Sequence, residues 1–358
     1  MSTGRDELIP FTRLSVNKMD YKKLSRTGKL YGALRLFYHW AIRRSEVLPY
    51  LPQEISIEPT NRCNFTCSFC PQSNPDHFAE IPASALTPEG VEKILRKLRA
   101  EGVRGDLLHW TLDGEPFMNK RFHENLRVAR DYGFTTFHFA TNGMLLTPHR
   151  LHQLPREGVK FAMTPDFCSD EAYFEDVRGT KGSWKVVLEN LRTALADQDL
   201  DHIEFKVTDI SSFKIRDADE LEKRFKALKA LFPESERISF HQRVFHNASG
   251  TMESRIESRE GYRLCPYPWY TMFIAHNGDA VACCRDLEHQ TVLGNLFEQD
   301  VMEIWNGEKY QALRRDLVEK HPEKQAACKG CDMPYDGDKF TIKNFAKTAV
   351  HRMMLLDD

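Results

Sequence analysis

The sequence has no run of about 18 apolar residues, so no segment of it is expected to cross a bilayer as a helix. It has almost no net charge: 50 Lys and Arg against 52 Asp and Glu leave -2, which gives a nucleic-acid-binding role no general electrostatic support. It lacks the apolar N-terminal stretch of a secretory signal, because Arg5, Asp6, Glu7 and Arg13 interrupt it, and a cytoplasmic protein is the expectation. No internal repeat and no low-complexity segment is present. Cysteine, by contrast, is not scarce. Nine cysteines, an odd number, argue against a disulfide framework, and reduced thiolates serving a metal or cluster explain them better. They are grouped as Cys63, Cys67 and Cys70, then Cys168 alone, then Cys265, Cys283, Cys284, Cys328 and Cys331.

The 358 residues suffice for one large α/β domain and a smaller one. Residues 1–50 form a basic helical extension, with Leu30, Leu34, Phe37 and Tyr38 at helical spacing beside Lys29, Arg35, Arg43 and Arg44. The expectation is a helix packed on the domain with a solvated basic face; a lid or a contact with an anionic membrane surface is the alternative. From Glu54, strand-like runs over 55–59, 107–112, 135–140, 159–163, 203–207 and 238–241 alternate with helical patterns over 88–100, 120–132, 183–200 and 219–231. Such alternation implies parallel strands with right-handed crossovers, and six units suggest a partial (β/α)6, TIM-like barrel over 51–245. The texture then changes. Asn247 to Arg263 reads as a linker, and Asn277-Gly278-Asp279 marks a hairpin between 271–274 and 280–283. A helix over 301–319 precedes Cys328. Residues 246–340 form the smaller domain and 341–358 a tail.

Cys63-x3-Cys67-x2-Cys70 places three soft donors on one loop. Thiolates select iron–sulfur clusters, zinc or Cu(I), and three of them suit a four-iron cluster with one iron left open. A structural zinc would need a fourth ligand, for which His77 is nearest. Cys63-Asn64-Phe65-Thr66-Cys67-Ser68-Phe69-Cys70 resembles the motif of the radical S-adenosylmethionine (SAM) family, including the aromatic residue before the third cysteine. The resemblance implies that the open iron chelates SAM, that cleavage yields a 5′-deoxyadenosyl radical, and that Phe69 packs beside the adenine. It extends to the predicted strand ends, where barrels of this kind carry their chemistry. Asp113-Gly114-Glu115-Pro116 is similar to the family's element for the SAM ammonium, with Gly114 and Glu115 as the matching pair. Asn142 falls at the family's ribose-side element, and Asp166 where related enzymes place a polar group near the ribose or the substrate. Arg178-Gly179 resembles a recurrent pair, in which Arg178 meets the SAM carboxylate or forms a surface ion pair.

Cys265, Gly278 and Cys283, with twelve and four residues between them, resemble the opening of the SPASM and twitch domains attached to such cores, and Cys328-x2-Cys331 supplies a second pair. Four thiolates imply one fully ligated auxiliary [4Fe–4S] cluster; four-cysteine zinc is the alternative. The remaining cysteines of a full SPASM tail are missing, so a single auxiliary cluster, twitch-like and suited to conducting an electron, is expected. The resemblance implies a radical SAM enzyme of natural-product (antibiotic) biosynthesis acting on a small hydroxylated substrate: a sugar, aminoglycoside or aminocyclitol. Dehydrogenation of an alcohol is the first reading, with His241, Arg243 or His246 as candidate bases. Epimerisation is the second, with Cys168 or Cys284 as hydrogen donor. Modification of a ribosomal peptide, maturation of a sulfatase and a non-catalytic zinc-binding protein are the others. An electron donor such as flavodoxin or ferredoxin is the implied protein partner.

Overall fold

A computed structural model of the chain describes residues 26–78, 81–253, 260–337 and 340–341. After α1 (Arg26–Phe37), six strands lie side by side in chain order, each pair of neighbours parallel: β1 (Glu54–Ile57), β2 (Leu107–His109), β3 (Thr136–Thr141), β4 (Lys160–Phe167), β5 (Ile203–Asp209) and β6 (Ile238–Gln242). The intervening helices are α2 (Pro88–Ala100), α3 (Phe122–Asp131), α4 (Pro148–His152), α5 (Glu171–Arg178), α6 (Ser183–Ala196) and α7 (Ala218–Ala230). The start of α2 shows why the chain turns helical there. Thr87 Oγ1 accepts from the Gly90 N–H, Pro88 occupies the first turn, and Val91, Ile94, Leu95 and Leu98 form a wholly buried face. The predicted helix over 183–200 ends at Ala196, because the Asp197 carboxylate caps the Asp199 N–H and starts a separate short turn.

Strand alternation divides the sheet into two faces. Ile57, Leu108, Phe137, Phe139, Phe161, Met163, Phe205 and Val207 are buried. Rings of this face meet the helices, Phe139 with Phe122 and Phe167 with Phe174 and Trp184. The opposite face is polar. Ser56, His109 and His138 are in register across β1–β3, and Asp166, Thr208 and His241 across β4–β6.

The C-terminal part does not stand off from this sheet. β7 (Thr271–Ile274) pairs with β1 in parallel, from Glu54↔Thr271 to Ile57↔Ile274. β8 (Asp279–Val281) and β9 (Val292–Asn295) follow antiparallel, giving the order β6-β5-β4-β3-β2-β1-β7-β8-β9. An open edge at β1 would leave unpaired N–H and C=O groups, and β7 supplies the missing ladder. The expected linker opens instead as a docked loop. Asn247 is buried, its N–H donates to Asp332 and its Nδ2 donates to the Gly330 carbonyl. Residues 254–259 of that stretch lie outside the described residues. The single helix expected over 301–319 is two, α8 (Val301–Trp305) and α9 (Glu308–Val318), before the short α10 (Ala326–Lys329). The break falls at Asn306, whose side-chain amide is drawn into bonds with both backbone groups of Leu48.

Leu48 belongs to an N-terminal segment held by the C-terminal part. Trp40 Nε1 donates to the Leu264 carbonyl, Trp269 Nε1 to that of Ser45 and Trp305 Nε1 to that of Tyr50. These tethers set the rotation of α1, and of the apolar residues expected to pack only Phe37 does, half-buried against the core. Leu36 and Trp40 are buried, whereas Leu30, Leu34 and Tyr38 are exposed. Among the described residues no helix is long and apolar enough to cross a membrane.

Candidate active site

The loop carrying Cys63, Cys67 and Cys70 leaves β1 and is gripped from three sides. From below, the buried Glu58 accepts from the Asp113 N–H through one carboxylate oxygen and from the His276 N–H and Nδ1 through the other. It thereby ties the ends of β1, β2 and β7 together. From the β2 side, the Glu115 N–H donates to the Arg62 carbonyl at 2.7 Å. Gly114 (φ 69°) lies so close that a Cβ would sit 2.3 Å from the Thr60 carbonyl oxygen and 2.7 Å from that of Arg62. From above, the end of α5 closes down. The Ser68 N–H donates to the Val177 carbonyl at 2.9 Å, and Gly179 (φ 67°) rests on Thr66.

The residues singled out at the strand ends converge here. The Glu115 carboxylate accepts from the Asn142 N–H (2.6 Å), Thr141 Oγ1 (2.9 Å) and the Phe117 N–H (3.3 Å). Burial raises its pKa despite those three donors. Both carboxylate oxygens are thus occupied within the protein, and Glu115 acts as a clamp between two loops. Asn142 Nδ2 donates to Asn64 Oδ1 at 2.7 Å and lies 3.8 Å from Cys63 Sγ. Arg178 is no surface residue: it is 3 % exposed, its guanidinium lies over the Phe65 and Phe69 rings, and it pairs with Asp166 at 3.1 Å. Arg243 pairs with the same Asp166 oxygen and stacks on Phe69 and Phe245. Phe69 also meets Phe213 and Phe245 edge to face or tilted. Two guanidiniums on one carboxylate leave net positive charge beside Cys67. Arg178 Nε has no hydrogen-bond partner among the described residues, so a buried cationic donor stands ready for an anion.

This surrounding suits a thiolate-held cluster. Burial pushes the Cys63 thiol up to about 12 and raises Cys67 and Cys70 as well, a cost to the three thiolates that a bound cationic cluster would offset. His77, the alternative fourth zinc ligand, is engaged elsewhere: Nε2 sits 2.6 Å from Asp113 Oδ2, with Glu288 3.8 Å from the other ring nitrogen. Among the described residues, no three His, Cys, Asp or Glu side chains converge as a single metal ion would require.

The second set assembles from three segments. Cys265 precedes the turn into β7, Cys283 follows β8, and Cys328 and Cys331 flank the end of α10, with the Cys331 N–H donating to the Cys328 carbonyl. Burial raises the Cys265 and Cys283 thiols, and the charges of Cys328 and Cys331 add to both shifts, so each of the two lies within electrostatic reach of that pair. Cys284 joins them. β8 ends at Val281, so strand alternation does not turn Cys284 away from Cys283's side, and Cys284 lies half-buried beside Tyr267 and Arg285.

Other candidates fall elsewhere. Cys168 is wholly buried, its thiol 3.4 Å from the Asp170 carbonyl and raised to about 12 by burial. His246 is buried against Asp332 (3.3 Å) and Asp336 (3.5 Å), at the joint with the Cys331 loop. His241 is exposed on the polar strand face. Sequence reasoning missed three groups. One is the buried clamp Glu58–His276. The second is the pair His109 and His138, whose Nδ1 atoms lie 3.1 Å apart, with His138 Nε2 2.9 Å from Thr164 Oγ1. Burial, then His109 and Lys206, hold His138 down at about 3, so it stays neutral. The strand alternation of 107–109 and 136–141 was the available signal for that pair. The third is Tyr267–Arg285 beside Cys284.

Residues 57–199 match the radical SAM superfamily and residues 265–332 match an iron–sulfur cluster-binding domain, SPASM. The S-adenosyl-L-methionine-dependent 2-deoxy-scyllo-inosamine dehydrogenase of Niallia circulans is 22% identical over 284 residues, covering 78% of this chain and 92% of that protein. The AdoMet-dependent heme synthase of Methanosarcina barkeri is 26% identical over 181 residues, about half of each chain (50% and 48%). In fold, the chain is similar to BtrN in complex with AdoMet and 2-DOIA (TM-score 0.54, 20% identity, 82% of this chain and 96% of that one). It is also similar to anSMEcpe with bound AdoMet (TM-score 0.56, 13% identity, 85% and 97%).

Proposed function

We propose a function from a premise that the two family matches supply: this chain belongs to the radical SAM superfamily and carries a SPASM auxiliary-cluster domain. It is an enzyme that oxidises an alcohol carbon of a small hydroxylated substrate, a sugar, aminoglycoside or aminocyclitol. Its six parallel strands form a partial barrel whose polar face holds that substrate. Cys63, Cys67 and Cys70 hold the SAM-binding [4Fe–4S] cluster, and Cys265, Cys283, Cys328 and Cys331 hold one auxiliary [4Fe–4S] cluster. Bound there, SAM and its cluster would supply radical chemistry for removal of the carbinol hydrogen, and the auxiliary cluster would supply the acceptor for the electron left as C–OH becomes C=O.

The protein's own groups do the rest. Arg178 offers its unpartnered Nε to the SAM carboxylate, and Phe69 stacks against the adenine. Glu115 and Asn142 hold the cysteine loop, leaving backbone carbonyls to take the SAM ammonium. The hydroxyl proton goes to a base on the polar face, for which His241 is the candidate. The neutral His109–His138 pair offers one donor and one acceptor to a substrate hydroxyl. An electron donor such as flavodoxin or ferredoxin starts each turnover.

The observation that carries this reading is the polar strand face and its two borders. At one end Asp166 joins it to Arg178, Arg243 and the Cys67 loop. At the other, Phe273, in register with Ser56, meets Tyr267 beside Cys265 and Cys284. Hydroxyl, imidazole and carboxylate groups between two thiol sets suit a polyol.

The test is reconstituted holoenzyme, with about eight irons per chain, given a polyol or aminocyclitol in D2O. One ketone per 5′-deoxyadenosine supports dehydrogenation. Deuterium at a retained, inverted carbon overturns it in favour of epimerisation, for which half-buried Cys284 is the better placed thiol.

A further inference from the structure

Six of the nine large hydrophobic side chains exposed among the described residues crowd into one short segment: Leu30, Tyr31, Leu34, Tyr38, Ile42 and Val47. Tyr31 is 64 % and Ile42 62 % exposed, while Leu36 and Trp40 are each 4 % exposed. Successive residues of α1 turn by about 100°, so Leu30, Tyr31, Leu34 and Tyr38 share one side and Leu36 lies opposite. The chain then runs into a π turn over Tyr38–Ile42, which continues the exposed stripe to Ile42 while Trp40 stays tethered to Leu264. The stripe is therefore presented outward by a helix fixed along its other side.

Charge says what covers it. Residues 26–45 contain Arg26, Lys29, Arg35, Arg43 and Arg44 and no Asp or Glu, so the rest of the chain carries -7. Arg43 and Arg44 are exposed. The first acid, Glu46, is held by Arg315 at 2.8 Å and does not offset them. A second copy packed on this stripe through a two-fold axis would set five cations against five. The chain's own termini are also positive, +2 over residues 1–25 and +1 over 342–358. An apolar stripe with tyrosines beside it, in a segment that carries five cations and no acid, matches a bilayer surface bearing anionic headgroups.

We propose that α1 and its π turn lie in the plane of an anionic membrane surface, with Leu30, Leu34, Tyr38 and Ile42 inserted and Arg43 and Arg44 at the headgroups. The enzyme then works as a peripheral protein with the rest of its body in water. This docking is independent of the reaction assigned above, and its failure leaves that reaction untouched.

The test is co-sedimentation of the full-length holoenzyme with vesicles of equimolar phosphatidylglycerol and phosphatidylcholine, against phosphatidylcholine alone. Binding is expected to the anionic vesicles only and to fall in about 0.5 M NaCl. R43Q/R44Q should lower the partition coefficient about 30-fold, and L34D/I42D should abolish binding, with the thermal midpoint of each variant unchanged. Binding unaffected by L34D/I42D overturns the proposal. So does an absence of binding to either vesicle, and a dimer in light scattering that L34D/I42D dissociates would then assign the face to a second copy.

Discussion

Replacing Gly114 with alanine tests how the cysteine loop is held, and Gly158 supplies the control. Both glycines have nearly the same φ, 69° and 70°, so an alanine at either pays the left-handed backbone cost of about 1–2 kcal/mol. They differ in surroundings. A Cβ at Gly158 meets nothing within 4 Å, whereas one at Gly114 lies 2.3 and 2.7 Å from the carbonyl oxygens of Thr60 and Arg62 and 2.9 Å from the Asn61 carbonyl carbon. Those atoms are backbone and cannot swing aside as a side chain would. The two loops must part by about an ångström, which breaks the Glu115 N–H to Arg62 bond and costs roughly another 1 kcal/mol or more. Gly114→Ala should therefore destabilise by about 3 kcal/mol in urea unfolding followed by circular dichroism, against about half that for Gly158→Ala. The displacement also moves the segment that leads into Cys63, so Gly114→Ala should retain less iron after reconstitution and cleave less SAM, while Gly158→Ala keeps both. Equal stability of the two variants, with full iron in Gly114→Ala, would refute the reasoning.

Cys331→Ala should lower iron content by about four per chain and eliminate ketone while 5′-deoxyadenosine still accumulates; undiminished ketone would defeat the conduit role of the second cluster. Cys168→Ala should leave turnover within about twofold, because its thiol is buried toward Asp170; abolished turnover with normal folding would return it to the chemistry. Arg178→Met should weaken SAM binding at least about tenfold by equilibrium dialysis, through loss of a charged hydrogen bond, and unchanged affinity would remove Arg178 from the SAM site. Burial alone would raise the Glu58 carboxyl, but its hydrogen bonds from His276 and the charges of His276 and His289 hold it below its ordinary 4.5. That stabilisation is present above pH 4.5 and is lost as pH falls through the depressed value. Acid unfolding of the parent should steepen in that window and flatten in Glu58→Gln; identical acid limbs would show that Glu58 carries none of it.

The parts readable from sequence were those governed by short-range rules. The helix expected over 88–100 came through with those bounds as α2, because a capping threonine, a proline in the first turn and a four-residue apolar face are all local. The hairpin at Asn277-Gly278-Asp279 was equally local, since Gly278 (φ 87°) permits the turn between β7 and β8. Elements failed where a distant group intervened. Leu48 broke the helix expected over 301–319 by bonding Asn306, and Asp332 drew Asn247 out of the expected linker. At the site, Gly114, Glu115, Asn142, Asp166 and Arg178 could be singled out by the family resemblance, the first four at the ends of predicted strands and Arg178 in the loop beyond. Their partners could not, and Glu115 shows the consequence: its carboxylate is spent on Asn142, Thr141 and Phe117.

Sequence by itself determined that three thiols share one loop, because an eight-residue span leaves them nowhere else to go. It also determined that parallel strands alternate with helices, because apolar period sets local conformation. Only the tertiary structure decided which groups those thiols face and which side of α1 meets solvent. Arg178 reaches the Cys67 loop by the packing of α5 across more than a hundred residues of chain, and its burial follows from that packing. The outward turn of Leu30, Leu34 and Tyr38 follows from Trp40 being tethered to Leu264, a rotation that a helical repeat of apolar residues does not specify. Long-range pairing is set by whole surfaces meeting, and no local window of sequence contains both.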